Sequence, residues 1–349
     1  MSYYLILFSL FFLISLTSIV FYKKEPSLII LISIGFLLIL TAGLRGSRVD
    51  RDYENYEMLY SNYKQISILL VEPTFVLVSS IVKNLFQNNI VFLFLIYAFM
   101  GVTVKFCAIK QLSQFCYLSV LIYLSNYFLL HEMTQIRGGV AAGFLLFCIK
   151  PIYDRNLLKF LFFLTLALCF HYSSIVFLPF YFLSSKKINV LLYLSILIVT
   201  YVLHFLNIHF TSLFYLVPAD NLQFKLEANK KLIENNLQEG VNVFNLLQVM
   251  RILFSFFFLW KRDLIQAENK YFIIMLKIYF FALCAMVIFS DIPTFAVRTS
   301  ELLAVVEIIL FPMIIYTIRE RKVASIFTIM LSLGLFCTNL FYTKLLIFK

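Results

Sequence analysis

From one end of the chain to the other, apolar runs of about 20 residues follow one another with little between them. Those at 3–22, 90–108 and 325–341 are long enough to cross a hydrocarbon core as helices. Hydrophobic residues make up 62% of the chain and charged residues 13%, whereas a soluble domain carries about 25% charged residues. The longest polar stretch, 204–244, is too short for a soluble domain. Residues 1–349 therefore read as one polytopic, all-α membrane domain. No basic residue precedes the first apolar run, and Lys23, Lys24, Glu25 and Pro26 follow it where a cleavage site would have small residues. That run is expected to be a retained helix.

Basic residues mark the cytoplasmic ends of membrane helices. The clusters are Lys23 and Lys24, Lys105 and Lys110, Lys150, Arg155 and Lys159, Lys186 and Lys187, Lys261, Arg262 and Lys270, and Arg319, Arg321 and Lys322. One path places them all inside. It has about twelve helices, at 3–22, 27–44, 89–109, 115–131, 138–153, 157–171, 172–184, 188–206, 243–260, 271–290, 302–318 and 325–342, with both termini outside. The stretch 157–184 has room for one long helix or two half-crossings that turn at His171. In 72–87, Val71, Phe75, Val78, Val82 and Leu85 share a helical face opposite Ser79, Ser80, Lys83, Asn84 and Gln87, which predicts an interfacial helix. The outer loop 207–242 predicts an amphipathic helix capped by Asp220 and ended by Gly240.

The net charge of +11 fits ordinary topology signals, yet several arginines fall on the outer side of this path. Residues 45–56 hold Arg45, Arg48, Arg51, Asp50, Asp52, Glu54, Tyr53 and Tyr56. Further along come residues 131–137 ending in Arg137, then His171, then 291–301 around Arg298. Arginine's planar fork grips phosphate oxygens through paired hydrogen bonds, and tyrosines stack on sugars. Arg137 opens a helix rich in small residues (Gly138, Gly139, Ala141, Ala142, Gly143), whose positive dipole end also favours anions. An ionisable His171 at membrane depth is a functional candidate by default, although it could equally satisfy a backbone carbonyl. Solvated ion pairs in 45–56, a snorkelling Arg137 and a structural pair of Arg298 with Asp291 or Glu301 are the competing explanations.

Several chemistries have no support. There is no glycine-rich phosphate loop with its lysine, and no HExxH motif. The six cysteines all lie in or beside apolar runs, and none forms a CxxC pair. Asp50 and Asp52 have DxD spacing but sit in a short loop, so no metal site and no cofactor are expected.

Four stretches together resemble the EpsG family of polysaccharide polymerases, relatives of the Wzy O-antigen polymerases of bacterial inner membranes. Arg45, Asp52, Tyr53 and Tyr56 match the pattern after an early helix; Asp50 stands where the family usually has glycine. Gln135, Ile136, Arg137, Gly138, Gly139, Val140 and Ala141 match the arginine-led small-residue helix, with Gly138 where glutamine is more usual. Phe170, His171, Tyr172 and Ser173 match a Phe-His-Ser-like step, and Arg298 matches an arginine before a late helix.

The resemblance implies a membrane glycosyltransferase that polymerises polyprenyl-pyrophosphate-linked repeat units at the outer face of the bacterial inner membrane. Asp52, Arg137 and His171 are the implied catalytic residues. Arg45, Arg48, Tyr53, Tyr56 and Arg298 are the implied substrate-binding residues. The implied partners are the lipid-linked glycan, membrane lipids, a flippase and a chain-length regulator, with no nucleic acid. A lipid-linked oligosaccharide flippase is the alternative. It needs polar residues along a path through the membrane centre, where Arg251, Lys277 and Glu307 are the few within spans. An acyltransferase would need its polar motifs on the cytoplasmic side.

Overall fold

A computed structural model describes residues 2–21, 26–47, 49–65, 71–208 and 240–347. Among these the chain is helical and has no strand; the only ladder feature is an isolated bridge between Asp50 and Leu346. The expected helix of the 207–242 loop and Arg48 lie outside the described residues.

The helices are α1 Ser2–Val20, α2 Leu28–Gly43, α3 Tyr53–Ser61, α4 Pro73–Leu85, α5 Ile90–Leu112, α6 Cys116–Ile122, α7 Ile136–Asp154, α8 Leu157–Phe170, α9 Val190–Phe205, α10 Leu246–Trp260, α11 Arg262–Glu268, α12 Phe272–Ile288, α13 Pro293–Ala304, α14 Glu307–Leu310 and α15 Arg321–Cys337. Five helical stretches are long and apolar enough to cross a membrane: Tyr3–Val20, Ile90–Leu112, Ile136–Asp154, Pro293–Thr317 and Arg321–Tyr342. Shorter apolar helices lie at Leu28–Gly43, Leu157–Phe170, Tyr172–Phe182, Val190–Phe205, Leu246–Trp260 and Phe272–Ile288, while the expected span 115–131 is a short α-helix continued by a π-helix. Asparagines start four of these helices by accepting from a backbone N–H of the first turn: Asn89 from Val91 (3.0 Å), Asn156 from Lys159 (3.0 Å), Asn189 from Leu192 (3.2 Å) and Asn245 from Gln248 (2.9 Å).

Among the described residues four helical segments depart from the α form: the π-helices Tyr123–Glu132 and Thr338–Tyr342 and the 3-10 helices Tyr172–Phe182 and Phe311–Thr317. After α6 the chain continues as a π-helix, Tyr123–Glu132, a widened form often found at functional sites. At His171 the backbone is extended (φ −157°, ψ 115°), so α8 ends there and a 3-10 helix, Tyr172–Phe182, follows. The stretch 157–184 is thus two helical segments broken at His171.

In α4 the buried stripe is Phe75, Val78, Ser79 and Val82. Ser79 was expected on the polar side, but it stands four residues after Phe75 and three before Val82, in the middle of the stripe. Leu85, expected on the apolar face, is exposed at the helix end.

The chain forms two compact units, Met1–Ile175 with Glu307–Lys349, and Val176–Val306. In the first, α5 packs against α2 and α7, α7 against α8, and α1 against α6. In the second, α12 is the buried centre, flanked by α9, α10 and α13.

Lys105, counted above with the basic clusters, is no loop charge. It is fully buried within α5 and paired with Glu132, so only Lys110 remains as a charge at that helix end. A charge inside a span survives when it is partnered, and Glu307 follows the same rule. Its Oε2 accepts from Tyr127 (2.7 Å) and Asn126 (3.2 Å).

Candidate active site

The loop between α2 and α3 is held by a buried ion pair. Arg45 Nε donates to Asp50 Oδ2 at 2.6 Å, and its Nη1 donates to the Ala42 carbonyl at 2.7 Å. The guanidinium lies 4.0 Å from the centre of the Phe94 ring. Asp50 Oδ1 then accepts from the backbone N–H of Asp52 at 2.9 Å, which sets the start of α3. From the other end of the chain, Ile347 donates its backbone N–H to Val49 (2.9 Å) and Arg51 reaches the Thr343 carbonyl (3.2 Å).

This start aims Tyr53 and Tyr56 inward. Both pack on Phe94, with ring centres 4.8 and 6.2 Å apart, and Tyr56 also packs on Phe75 of α4 at 6.1 Å. Arg137 lies on the same aromatic layer, 5.5 Å from the Phe75 centre and 5.8 Å from that of Tyr56.

Glu72, the residue before α4, organises the centre. Its Oε2 accepts from Arg137 Nη1, and its Oε1 faces His171 Nδ1 at 2.9 Å. The approach is fixed by Thr74, which donates to the Cys169 carbonyl at 2.7 Å and so ties the start of α4 to the end of α8. Burial on its own raises the Glu72 carboxyl. The hydrogen bond from His171 and the charge of Arg137 outweigh it and hold the carboxyl well below the usual range, at about 2. Glu72 is therefore an acceptor only near neutral pH, so Nδ1 of His171 must carry the hydrogen and Nε2 is the basic ring atom. Arg137 and His171 keep 17% and 14% of their side chains exposed, so both remain accessible at the surface of the unit. Arg137 Nε is buried without a partner.

Gly139 makes close packing possible at α7: a Cβ there would stand 2.9 Å from His131 Cβ, whereas one on Gly138 would only make ordinary contact with His171 at 3.9 Å. The step Arg137, Gly138, Gly139 thus presents the arginine and admits His131 against the helix backbone.

Among the described residues the expected site residues fall into four groups. Tyr56, Arg137 and His171 come together in the centre. Tyr53 and Asp52 flank it on α3; Asp52 is half-buried, and its side chain makes no capping bond. Arg45, expected to contact substrate, is 1% exposed, with Nε on Asp50 and Nη1 on the Ala42 carbonyl and with Nη2 buried without a hydrogen-bond partner. This geometry makes it a support for the loop. Arg298 belongs to the second unit and is exposed on α13.

With this geometry in view, the EpsG family's profile matches residues 28–348. The chain belongs to the EpsG family. This EpsG-family chain is also similar to the amylovoran biosynthesis protein AmsC of Erwinia amylovora, 25% identical over 303 residues that cover 82% of this chain and 78% of that one. No solved structure matches it.

Glu72 is the residue that sequence reasoning missed. It stands just before a proline-led amphipathic helix and so passes for an ordinary helix-start carboxylate. Its signal was an isolated acid between an apolar stretch and that helix, with no cation within helical reach.

Proposed function

We propose that this EpsG-family protein polymerises a surface polysaccharide, joining glycan repeat units carried on polyprenyl pyrophosphate. It works at the outer face of the bacterial inner membrane, in a fold of about twelve crossings with both termini outside. The observation that carries this is Glu72 gripping Arg137 and His171 together in a partly exposed, aromatic-walled centre. The family and the amylovoran-biosynthesis relative support the substrate class.

In the proposed step, His171 Nε2 takes the proton of an acceptor sugar hydroxyl. That oxygen bonds to the anomeric carbon of the donor, whose bond to the pyrophosphate oxygen breaks. The lipid pyrophosphate leaves with both electrons, and Arg137 stabilises its growing charge. Glu72 holds the imidazole tautomer and the guanidinium plane. Tyr53 and Tyr56 wall the centre from behind, packed on Phe94, and Arg48 is a further candidate contact for the pyrophosphate. Asp52, at the head of α3, orients the acceptor. No metal is required where arginine supplies the positive charge.

Deletion of the gene in its host, followed by a gel of surface glycans, tests this function. Loss of the long ladder with survival of single-repeat species is expected. Loss of both would mark a transporter and overturn the proposal.

A further inference from the structure

A second polar cluster sits inside the first unit, behind the centre. Lys105 Nζ donates to Glu132 Oε1 and to the Gly139 carbonyl, each at 2.6 Å. Tyr123 donates to the same Glu132 oxygen at 2.9 Å, and the ammonium lies 5.5 Å from the Tyr123 ring centre. Both charged side chains are fully buried. Three helical elements meet here: α5 through Lys105, the end of the π-helix through Glu132, and the first turn of α7 through Gly139. The spot is built for contact. A Cβ on Gly101 would stand 2.0 Å from Glu132 Oε2, and one on Gly143 would stand 2.8 Å from Val104 and 3.4 Å from Lys105.

Gly139 is two residues beyond Arg137, in the same helical turn. A buried ion pair is a poor source of net stability, because both charges lose their hydration. Its retention points to what the pair holds in place. Here the ammonium fastens the backbone that carries Arg137, while the carboxylate fastens the helix that precedes it.

We propose that Lys105 and Glu132 are positioning residues for Arg137, a buried staple that fixes the start of α7 so the guanidinium meets Glu72 and the departing pyrophosphate. The inference rests on the polymerase function proposed above. The staple touches no substrate. Its effect on rate passes through Arg137 alone.

A double-mutant cycle tests it, because residues acting through one another give non-additive effects. The deletion host is complemented with each variant, and the initial rate of long-glycan accumulation after induction is measured per unit of membrane-inserted protein. Lys105→Met alone leaves a buried carboxylate unpaired and can fail to fold. The pair Lys105→Met with Glu132→Gln removes both charges and preserves shape, and its thermal unfolding in detergent is followed alongside. With Arg137 present, the neutral pair should slow accumulation about tenfold. In an Arg137→Lys background, the same pair should cost less than about twofold further. An equal loss in both backgrounds, or no loss with Arg137 present, overturns the proposal. Failure of the polymerase function shows separately, as a parent chain that restores no long glycan.

Discussion

Glu72 and His171 lie 99 residues apart in sequence and 2.9 Å apart in space, and the other oxygen of the same carboxylate holds Arg137. One acid thus sets the orientation of both a base and a cation.

Glu72→Gln should therefore damage both at once. An amide offers one acceptor oxygen where the carboxylate offers two charged ones. Loss of a charge-assisted hydrogen bond costs about 1.5–3 kcal/mol, or roughly ten- to a hundredfold in rate if the bond matters in the transition state. Polymer accumulation at matched expression checks this. Lys83→Ala, at a half-buried lysine that donates to the Ser61 carbonyl and lies over the Tyr60 and Tyr63 rings away from Glu72, should change the rate little at matched expression.

The same residue predicts a pH dependence. Its carboxyl lies near 2 when folded, against an ordinary value of 4.5. Between those values the unfolded chain binds the extra proton, so stability rises with pH there. The contribution is of the order of 3 kcal/mol. It is fully present above about pH 4.5 and is lost as pH falls through about 2. Thermal unfolding in detergent should show wild type above Glu72→Gln at pH 7, with the gap closing below pH 4.5. A gap that widens on acidification would contradict the assignment.

Arg137→Lys separates charge from geometry. Lysine keeps the charge and can snorkel, but its ammonium cannot reproduce the planar fork. A rate loss of about ten- to a hundredfold is expected. A normal glycan ladder at matched expression would move the cationic role to another arginine.

Gly101 should tolerate nothing larger. Gly101→Ala places a methyl against the Glu132 carboxylate, and overpacking of this kind costs about 1–3 kcal/mol. Gly46→Ala has nothing within 4 Å and should unfold like wild type.

Sidedness is tested with single cysteines in a background lacking the native ones. Ser47 and Glu54 are exposed beside the loop that carries Arg45, and Arg155 and Lys322 are exposed near basic helix ends. The first two should react with an impermeant thiol reagent from outside. The last two should react only after permeabilisation.

Much of the helical frame was legible because each lipid-length apolar run admits few structures. His171 stood out as an ionisable residue in an apolar stretch, and Arg137 and Tyr56 as members of polar segments on the outer side of the path. Glu72 did not, since its partners are 65 and 99 residues away and nothing local marks them. Lys105 was misassigned because a lysine near a helix end resembles a topology signal; its place inside an apolar run, one turn after Gly101, was the overlooked clue. The burial of Arg45 depends on Asp50 and Phe94 closing over it, a tertiary event that composition does not record.

The most direct measurement uses purified protein and lipid-linked repeat units extracted from the deletion host. Wild type should lengthen the glycan, and His171→Ala, folded to the same unfolding temperature, should be slower by about a hundred- to ten-thousandfold, the range expected for loss of a general base. Lengthening by His171→Ala at the wild-type rate would contradict the mechanism, and none by wild type would contradict the function.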